Sequence, residues 1–309
     1  MDVFDIPLPD DCNLFLFGDA HMCSRFHYDR GLDVIMEMAN SPWGGLPHTR
    51  NFLWDHGDTA EAIFHDDPRF DFDSQDPNDT VMTQKEFVVK RYKPFGDKLL
   101  GITDGNHLDN KRFKLFGKIT KSICDDLGVR YGTFSSRLTY LRRSSRMSVK
   151  PIMFRHFVAH GWGNVNSRVK PYRRAACNME IQLRAQLENK ASDCMLMSMG
   201  HTHKLITCRP DERLFLFGDN KIRADWTNSR PYYGGTERFI PEDLRWYFNS
   251  GSLLRLYNDN GQVGYAERSG YDPIPIGFGI CEIREGAISD IKRIALDSSN
   301  PDGYKILTR

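Results

Sequence analysis

Residues 14–21, Leu-Phe-Leu-Phe-Gly-Asp-Ala-His, join a short apolar run to a polar cluster. Four consecutive apolar residues bounded by a turn residue are typical of a buried strand, and Gly18 ends this one. Asp19 and His21 are two positions apart, and in extended backbone side chains at that spacing point to the same side. The stretch therefore predicts a buried strand that brings a carboxylate and an imidazole to one place.

Four more short apolar segments are predicted to be strands that end in polar residues. They cover residues 52–54, 99–103, 152–160 and 194–199. The polar residues at or just after their ends are Asp58 and Glu61, Asn106 and His107, His160, and His201 and His203. Catalytic and metal-binding residues collect at the carboxyl ends of strands in α/β sheets, because the loops there converge on a crevice.

Imidazoles and carboxylates that converge from several strand ends are ligands for divalent transition metals. Asp58 suits a bridging position, since a carboxylate has two oxygens, whereas the neutral oxygen of Asn106 needs other ligands beside it. Two cations about 3.5–4 Å apart clamp a phosphoryl group and acidify a bridging water. The polar strand ends therefore favour a metal centre that acts on phosphate esters.

A second copy of the first strand shows that no single segment is decisive. Residues 214–219 repeat the sequence Leu-Phe-Leu-Phe-Gly-Asp, but Asn220 and Lys221 follow, and no histidine stands two positions after the aspartate. We expect only a strand and a turn there. The specificity lies in the ordered set of five polar clusters.

The order of predicted elements indicates a mixed α/β sandwich. Helices are predicted over about 29–40, 80–93, 109–127 and 175–190, between the predicted strands, while residues 204–298 predict mostly strands. No stretch rich in Pro, Ser or Gly suggests a linker. We therefore predict one domain over residues 1–309, with a core at about 11–298, an acidic, solvated loop at 66–79 and a C-terminal tail at 299–309.

Composition excludes several classes of protein. The 309 residues are 40% hydrophobic and 27% charged with a net charge of +1, which is a normal globular mixture. No apolar stretch is long enough for a membrane span, and the N-terminus has no secretory signal pattern. The seven cysteines form no C-x-x-C pair, so we expect a reducing, cytoplasmic location. Phosphate-binding loops of the G-x-x-x-x-G-K-[ST] type and G-x-S-x-G nucleophile elbows are also absent from the sequence.

The five clusters, in their order, resemble the calcineurin-like metallophosphoesterase family. The pattern of that family is D-x-H, G-D-x-x-D/E, G-N-H-D/E, a single H, and G-H-x-H, and the match here spans residues 18–203. The stretch 248–253 also resembles a strand-ending N-P-G-S segment of the family. Residues 160–163, 265–268 and 275–277 are similar to the subgroup found in tailed phages and prophages, which implies the host cytoplasm as the location.

The resemblance implies a four-layer α/β/β/α sandwich, in which two mixed sheets are flanked by helices. It implies two divalent metal ions, Mn²⁺ in the first place, with Fe, Zn, Ni and Co as alternatives. The implied ligands of one ion are Asp19, His21, Asp58 and His203, and those of the other are Asp58, Asn106, His160 and His201. His107 is implied to act near the leaving group, while a hydroxide that bridges the metals attacks a phosphomonoester or phosphodiester.

Three residues depart from the family pattern or adjoin it. Leu108 occupies the place of the acidic residue that normally orients the preceding histidine, so Asp104 or Asp109 compensates or His107 is less well placed. Glu61 is expected outside the ligand set. His56 is expected to have a structural role.

Basic residues that follow His160 leave a second enzymatic function open. Arg168, Lys170, Arg173 and Arg174 suit contact with phosphate oxygens, which would make the protein a nuclease acting on DNA or RNA, or they belong to a solvated loop and helix start. Trp162 is expected to form a wall of the pocket rather than to stack on a base. A third hypothesis is a non-catalytic binding module on the same fold.

Overall fold

The computed structural model describes residues 1–64, 67, 70, 79–108, 117–144, 148, 150–218, 221–227, 238–257, 267, 270–297, 300 and 303–307. The strands are β1 (Asp2–Leu8), β2 (Cys12–Phe17), β3 (Asn51–Asp55), β4 (Leu99–Ile102), β5 (Arg130–Tyr131), β6 (Ser135–Arg142), β7 (Ile152–Ala159), β8 (Leu196–Met199), β9 (Leu205–Cys208), β10 (Leu214–Phe217), β11 (Arg223–Trp226), β12 (Trp246–Ser250), β13 (Gly277–Arg284), β14 (Ala287–Leu296) and β15 (Tyr304–Leu307). The helices are α1 (Asp29–Ala39), α2 (Val81–Tyr92), α3 (Ile119–Leu127) and α4 (Tyr172–Leu187).

Two mixed sheets form the body of this α/β protein. The seven-stranded sheet has the order β15-β14-β13-β2-β3-β4-β5, and its strands β2, β3, β4 and β5 are parallel. The six-stranded sheet has the order β1-β6-β7-β8-β12-β9, and its strands β7, β8 and β12 are parallel. Strands β10 and β11 form a separate antiparallel pair. The prediction of a mixed α/β architecture is confirmed.

Apolar side chains fill three clusters, one between the sheets and one on the other face of each sheet. Along β2, Leu14 and Leu16 enter the cluster between the sheets, while Phe15 and Phe17 pack with α1, α2 and α3. The strand is a continuous apolar run because both of its faces are covered. Leu183 of α4 packs on the far face of the six-stranded sheet.

The four helices agree in position with the predicted ones as far as the structure describes them. Leu32 and Ile35 of α1 are buried, as their helical spacing predicts. Thr80 caps α2 by accepting a hydrogen bond from the backbone N–H of Thr83 at 3.2 Å. The first part of the helix predicted over 109–127 lies outside the described residues, and so does most of the acidic loop 66–79.

Two edge strands extend beyond the predicted core of residues 11–298. Strand β1 pairs with β6 and buries Ile6 and Leu8, although Pro7 makes the segment an unusual strand sequence. A proline is tolerated there because β1 is the last strand of its sheet. Strand β15 lies in the predicted C-terminal tail and pairs with β14.

The structure can be compared with the expectations for the cysteines and for membrane-spanning segments. All seven cysteines are free thiols, as their spacing predicts. Among the described helices, none combines the length and the apolar character that crossing a bilayer requires.

We predict that Gly279→Ala lowers the free energy of unfolding by about 1–3 kcal/mol through overpacking. Gly279 lies in β13 opposite Leu16, and an added methyl group would overlap the buried ring of Phe248 from the other sheet. Phe248→Leu should make room for it. Urea denaturation should therefore show a smaller loss for the double variant than the sum of the two single losses, and simple additivity would contradict this contact.

Candidate metal centre

The five polar clusters meet at the carboxyl ends of parallel strands from both sheets. Strands β2, β3 and β4 are neighbours in one sheet, and β7 and β8 are neighbours in the other. Backbone hydrogen bonds join the loops that follow these strands: the N–H of Asp19 donates to Gly57 at 2.8 Å, and that of Gly200 donates to His160 at 2.7 Å. The predicted convergence of the strand ends is therefore present.

Backbone conformation at this edge is unusual for residues with side chains. The φ angles are 49° at Asp19, 48° at His21, 48° at Asp58, 66° at His201 and 56° at His203. Such left-handed conformations are uncommon outside glycine and cluster at functional sites, where the surrounding structure maintains them. Five of the eight predicted site residues therefore have backbone conformations that the surrounding structure maintains against local preference.

Two glycines let the backbone approach these side chains closely. A methyl group at Gly105 would overlap the carboxylate of Asp58, and one at Gly200 would lie 2.6 Å from Oδ2 of Asp19. These contacts explain why Gly105 precedes Asn106 and why Gly200 precedes His201.

One group of potential ligands consists of Asp19, His21 and His203, whose donor atoms lie within 4.8 Å of one another. Nε2 of His21 and Nε2 of His203 face each other at 3.2 Å, and Nε2 of His203 lies 3.5 Å from Oδ1 of Asp19. The other oxygen of Asp19 accepts a hydrogen bond from the N–H of His201 at 2.8 Å. This arrangement directs two imidazole nitrogens and one carboxylate oxygen at a common point.

A second group surrounds Asn106. Its Oδ1 lies 2.8 Å from Nε2 of His160 and 2.9 Å from Nδ1 of His201. Oδ2 of Asp58 lies 3.1 Å from the same Nε2 of His160. The amide oxygen of Asn106, a weak potential ligand, therefore has stronger potential ligands beside it.

Asp58 lies between the two groups. It shares a potential metal-binding set with His160 and His201, and another with His21 and His107. Its Oδ1 accepts a hydrogen bond from the N–H of His107 at 3.0 Å. The structure thus brings together all eight residues that the sequence predicted for the centre.

Hydrogen bonds at Nδ1 set the tautomers of three histidines. Nδ1 of His21 lies 2.8 Å from Oε2 of Glu61, Nδ1 of His160 lies 2.9 Å from the carbonyl oxygen of His56, and Nδ1 of His107 lies 2.5 Å from that of Glu61. An Nδ1–H that donates to an oxygen leaves the lone pair on Nε2, which is how metal-binding histidines are usually oriented.

Negative charge at the centre is balanced by imidazoles. The carboxylates of Asp19, Asp58 and Glu61 are buried, and within the described part of the chain no Lys or Arg pairs with them. Burial raises the pKa of Asp58, but His160 and His107 outweigh it and hold that pKa well below its usual range. Burial lowers the pKa of His160, whereas Asp58 raises it, to about 9. Metal binding displaces protons of this kind, so the donor set and its charge fit divalent cations.

Glu61 and Leu108 adjoin the predicted site residues and have different surroundings. Glu61 is expected outside the ligand set, and it lies outside the three groups of potential ligands. Its Oε2 lies 2.8 Å from Nδ1 of His21. The side chain of Leu108 is buried in the apolar cluster beneath α1, α2 and α3. The backbone carbonyl of Glu61 accepts from Nδ1 of His107, and Oδ2 of Asp104 accepts from Tyr131 at 2.5 Å. Asp109, the other residue expected to compensate for Leu108, lies outside the described residues.

A buried chain of hydrogen bonds lies behind the centre and joins the two sheets. Nε2 of His56 and Nε2 of His156 lie 2.7 and 2.6 Å from Oγ of Ser198, and the hydroxyl of Tyr140 lies 3.2 Å from Nδ1 of His156. Nδ1 of His56 lies 3.0 Å from the carbonyl oxygen of Phe17. Every donor of this chain has an acceptor when the imidazoles of His56 and His156 are both neutral. Burial favours the neutral forms, because it lowers the pKa of His156 and lowers that of His56 to about 4.

This chain connects the strands that carry the potential ligands. His56 precedes Asp58 by two positions, His156 precedes His160 by four, and Ser198 precedes His201 by three. The structural role expected for His56 is present, whereas the sequence analysis missed the roles of His156 and Ser198. The available signal was a lone serine within the apolar strand 194–199, since a buried hydroxyl needs partners.

The stretch 248–253 supports the centre from the end of β12. Nδ2 of Asn249 donates to Oγ1 of Thr202 at 2.6 Å, and the hydroxyl of Ser252 donates to the carbonyl oxygen of Asp19 at 2.9 Å. These contacts hold the loops that carry His201, His203 and Asp19.

The basic residues predicted to contact substrate lie outside this cluster of ligands. The side chains of Arg168, Lys170, Arg173 and Arg174 are exposed and form no ion pair within the described part of the chain. Helix α4 connects the carboxyl end of β7 to the amino end of the parallel strand β8, so its N-terminus, where these residues lie, points towards the edge of the centre.

Comparison of the sequence with models of known protein families and with curated proteins gives no match. The resemblance to metallophosphoesterases therefore rests on the motif residues alone.

We predict that His156→Gln reduces the pH dependence of stability. His156 stays neutral when folded and takes up a proton below pH ~6.5 when unfolded, so its stabilising contribution is present above that pH and is lost as the pH falls. Between pH 6 and 5 the slope of the free energy of unfolding should fall by up to about 1.4 kcal/mol per pH unit. Urea denaturation measures this slope, and the exposed His48→Gln serves as control. Equal slopes for wild type and His156→Gln would contradict the buried, neutral state.

Proposed function

We propose that this chain is a two-metal phosphoesterase of the calcineurin-like type that hydrolyses a phosphomonoester or a phosphodiester. The observation that carries the proposal is the convergence, from five strand ends, of seven side chains that offer oxygen or nitrogen atoms, with Asp58 between the two groups. The packing of α1, α2 and α3 on one sheet and α4 on the other supports the four-layer sandwich that the resemblance implies.

Asp19, His21, Asp58 and His203 would hold one cation, and Asp58, Asn106, His160 and His201 would hold the other. Mn²⁺ is the first candidate, since imidazole and carboxylate together suit a divalent transition metal. Two bound cations supply charge to the phosphoryl oxygens and lower the pKa of water at the site. The carbonyl oxygen of His56 and the carboxylate of Glu61 orient His160 and His21 for that task.

His107 would donate a proton to the departing oxygen of the ester. Its Nδ1 is held by the carbonyl oxygen of Glu61, and its Nε2 lies 3.8 Å from Oδ2 of Asp58, on the side of the potential ligands. The backbone carbonyl of Glu61 would therefore supply the orientation that an acidic residue at position 108 supplies elsewhere in the family.

A nuclease activity is the second candidate. The observation in its favour is the set of exposed, unpaired cations between residues 168 and 174, at the end of α4 that points towards the centre. Cations that track a phosphate backbone give affinity that depends on salt.

The function is tested by assaying the protein on nitrophenyl phosphate, bis-nitrophenyl phosphate and single-stranded DNA, with and without Mn²⁺. We expect turnover of at least one ester with Mn²⁺ and none after treatment with a chelator. Turnover of DNA in preference to both small esters would favour the nuclease. Mn²⁺ binding without turnover of any substrate would overturn the enzymatic proposal in favour of a binding module.

We predict that Asp58→Asn removes at least one equivalent of Mn²⁺ and nearly all turnover, because a neutral amide would replace the carboxylate between the two groups. Glu61→Gln is the matched control, since Glu61 orients His21 without belonging to the ligand set. It should weaken metal affinity by about 10–100-fold and keep the stoichiometry. Elemental analysis and rates on one preparation measure both. Full metal content and full rate in Asp58→Asn would show that Asp58 is not the bridge.

We predict that His107→Gln lowers turnover by about 10²–10⁴-fold for esters with alkyl or nucleoside leaving groups and leaves the metal content unchanged. The loss should shrink for nitrophenolate, which departs without a proton. A leaving-group series on wild type and variant measures the difference. Equal losses across the series would reject the acid role, and loss of metal would place His107 among the ligands.

A further inference from the structure

Phe134 is an exposed aromatic residue beside the candidate metal centre. Its side chain is 41% exposed, and among the described residues it belongs to none of the three apolar clusters. Its ring meets the ring of His160 edge to face, with centroids 5.7 Å apart and an interplanar angle of 79°. A large apolar side chain in this position contributes little to the core.

The loop that carries Phe134 is held firmly at the edge of the centre. The carbonyl oxygen of Phe134 accepts a hydrogen bond from the N–H of His160 at 3.0 Å, and that of Thr133 accepts one from Asp104 at 2.8 Å. The hydroxyl of Ser136 donates to the carbonyl oxygen of Gly132 at 2.5 Å. Thr133 has a φ of 39°, a left-handed conformation that costs energy for a β-branched residue and is maintained by its surroundings.

The aromatic residue nearest to His160 in sequence has a different environment. Trp162 is partly buried against the apolar cluster beneath α4, and Nζ of Lys190 lies 4.6 Å from its ring centroid. Trp162 therefore packs within the fold, whereas the ring of Phe134 remains open to a ligand beside His160.

From these contacts we infer that Phe134 forms a subsite for an aromatic ring, so the substrate is a phosphate ester that carries an aryl or nucleoside group. The inference rests on the proposed function, in which the phosphoryl group would lie at the two cations, one of them held in part by His160. A ring on the ester would then be able to reach Phe134, whose ring centroid lies 5.7 Å from that of His160. Stacking of a planar ring on an aromatic side chain is favourable for any aryl group or base, because each has a π-face. A loop that is already rigid adds little entropic cost to binding.

The inference is tested by calorimetric binding of phenylphosphonate and methylphosphonate to the Mn²⁺-loaded protein. The two probes share the phosphonate group and differ only in the ring. We expect wild type to prefer phenylphosphonate by about 5- to 100-fold, the range that corresponds to one aromatic stacking contact. Phe134→Ala and Phe134→Leu should abolish the preference and keep the affinity for methylphosphonate, whereas Phe134→Tyr should retain the preference.

The controls separate this inference from the function on which it rests. Phe87→Ala removes an aromatic residue of similar exposure, 38%, from α2 and should change neither affinity. Equal affinities of wild type for the two probes would overturn the aromatic subsite and leave the phosphoesterase proposal standing. Equal loss of both probes in Phe134→Leu would assign Phe134 to support of His160 instead. Failure of wild type to bind either probe or Mn²⁺ would overturn the function and the inference together.

Discussion

Three buried carboxylates at one edge of the two sheets impose the strongest constraint on this structure. Asp19, Asp58 and Glu61 lie where water cannot screen them, and ionised groups in such places must be paired. Imidazoles, rather than Lys or Arg, provide the pairing within the described residues. A histidine can exchange its proton for a metal ion, whereas a lysine or arginine would occupy the centre permanently.

Rigidity behind the centre comes from polar contacts inside an otherwise apolar interface. The chain from Tyr140 through His156 and Ser198 to His56 satisfies each of its donors, so it crosses between the sheets without leaving a buried polar group unpaired. It joins β7 and β8 to the residue that follows β3, and the ends of these three strands carry His160, His201 and Asp58. Loops with left-handed backbones can then be maintained in front of it.

The sequence predicted that the eight site residues come together, because each of them follows the end of a strand within a few positions. Asp19, Asp58 and His160 are placed by the ends of β2, β3 and β7, and strand ends are visible as apolar runs. Helix positions and the mixed α/β class were predicted for the same reason, since periodicity is local. Support for the ligands could not be predicted in this way: Ser198 contacts His56 across 142 positions in sequence, and no local pattern specifies such a pair.

The tetrapeptide Leu-Phe-Leu-Phe occurs twice, and it shows which properties local sequence determines and which depend on tertiary structure. Local sequence makes it a strand at both 14–17 and 214–217, because its residues favour extended backbone in either place. The first copy is fully buried between β13 and β3, and the second is exposed in a separate two-stranded pair. Sequence alone determined the strands and the polar residues that end them. Tertiary structure decided which strand is covered on both faces, because burial depends on partners that are distant in the chain.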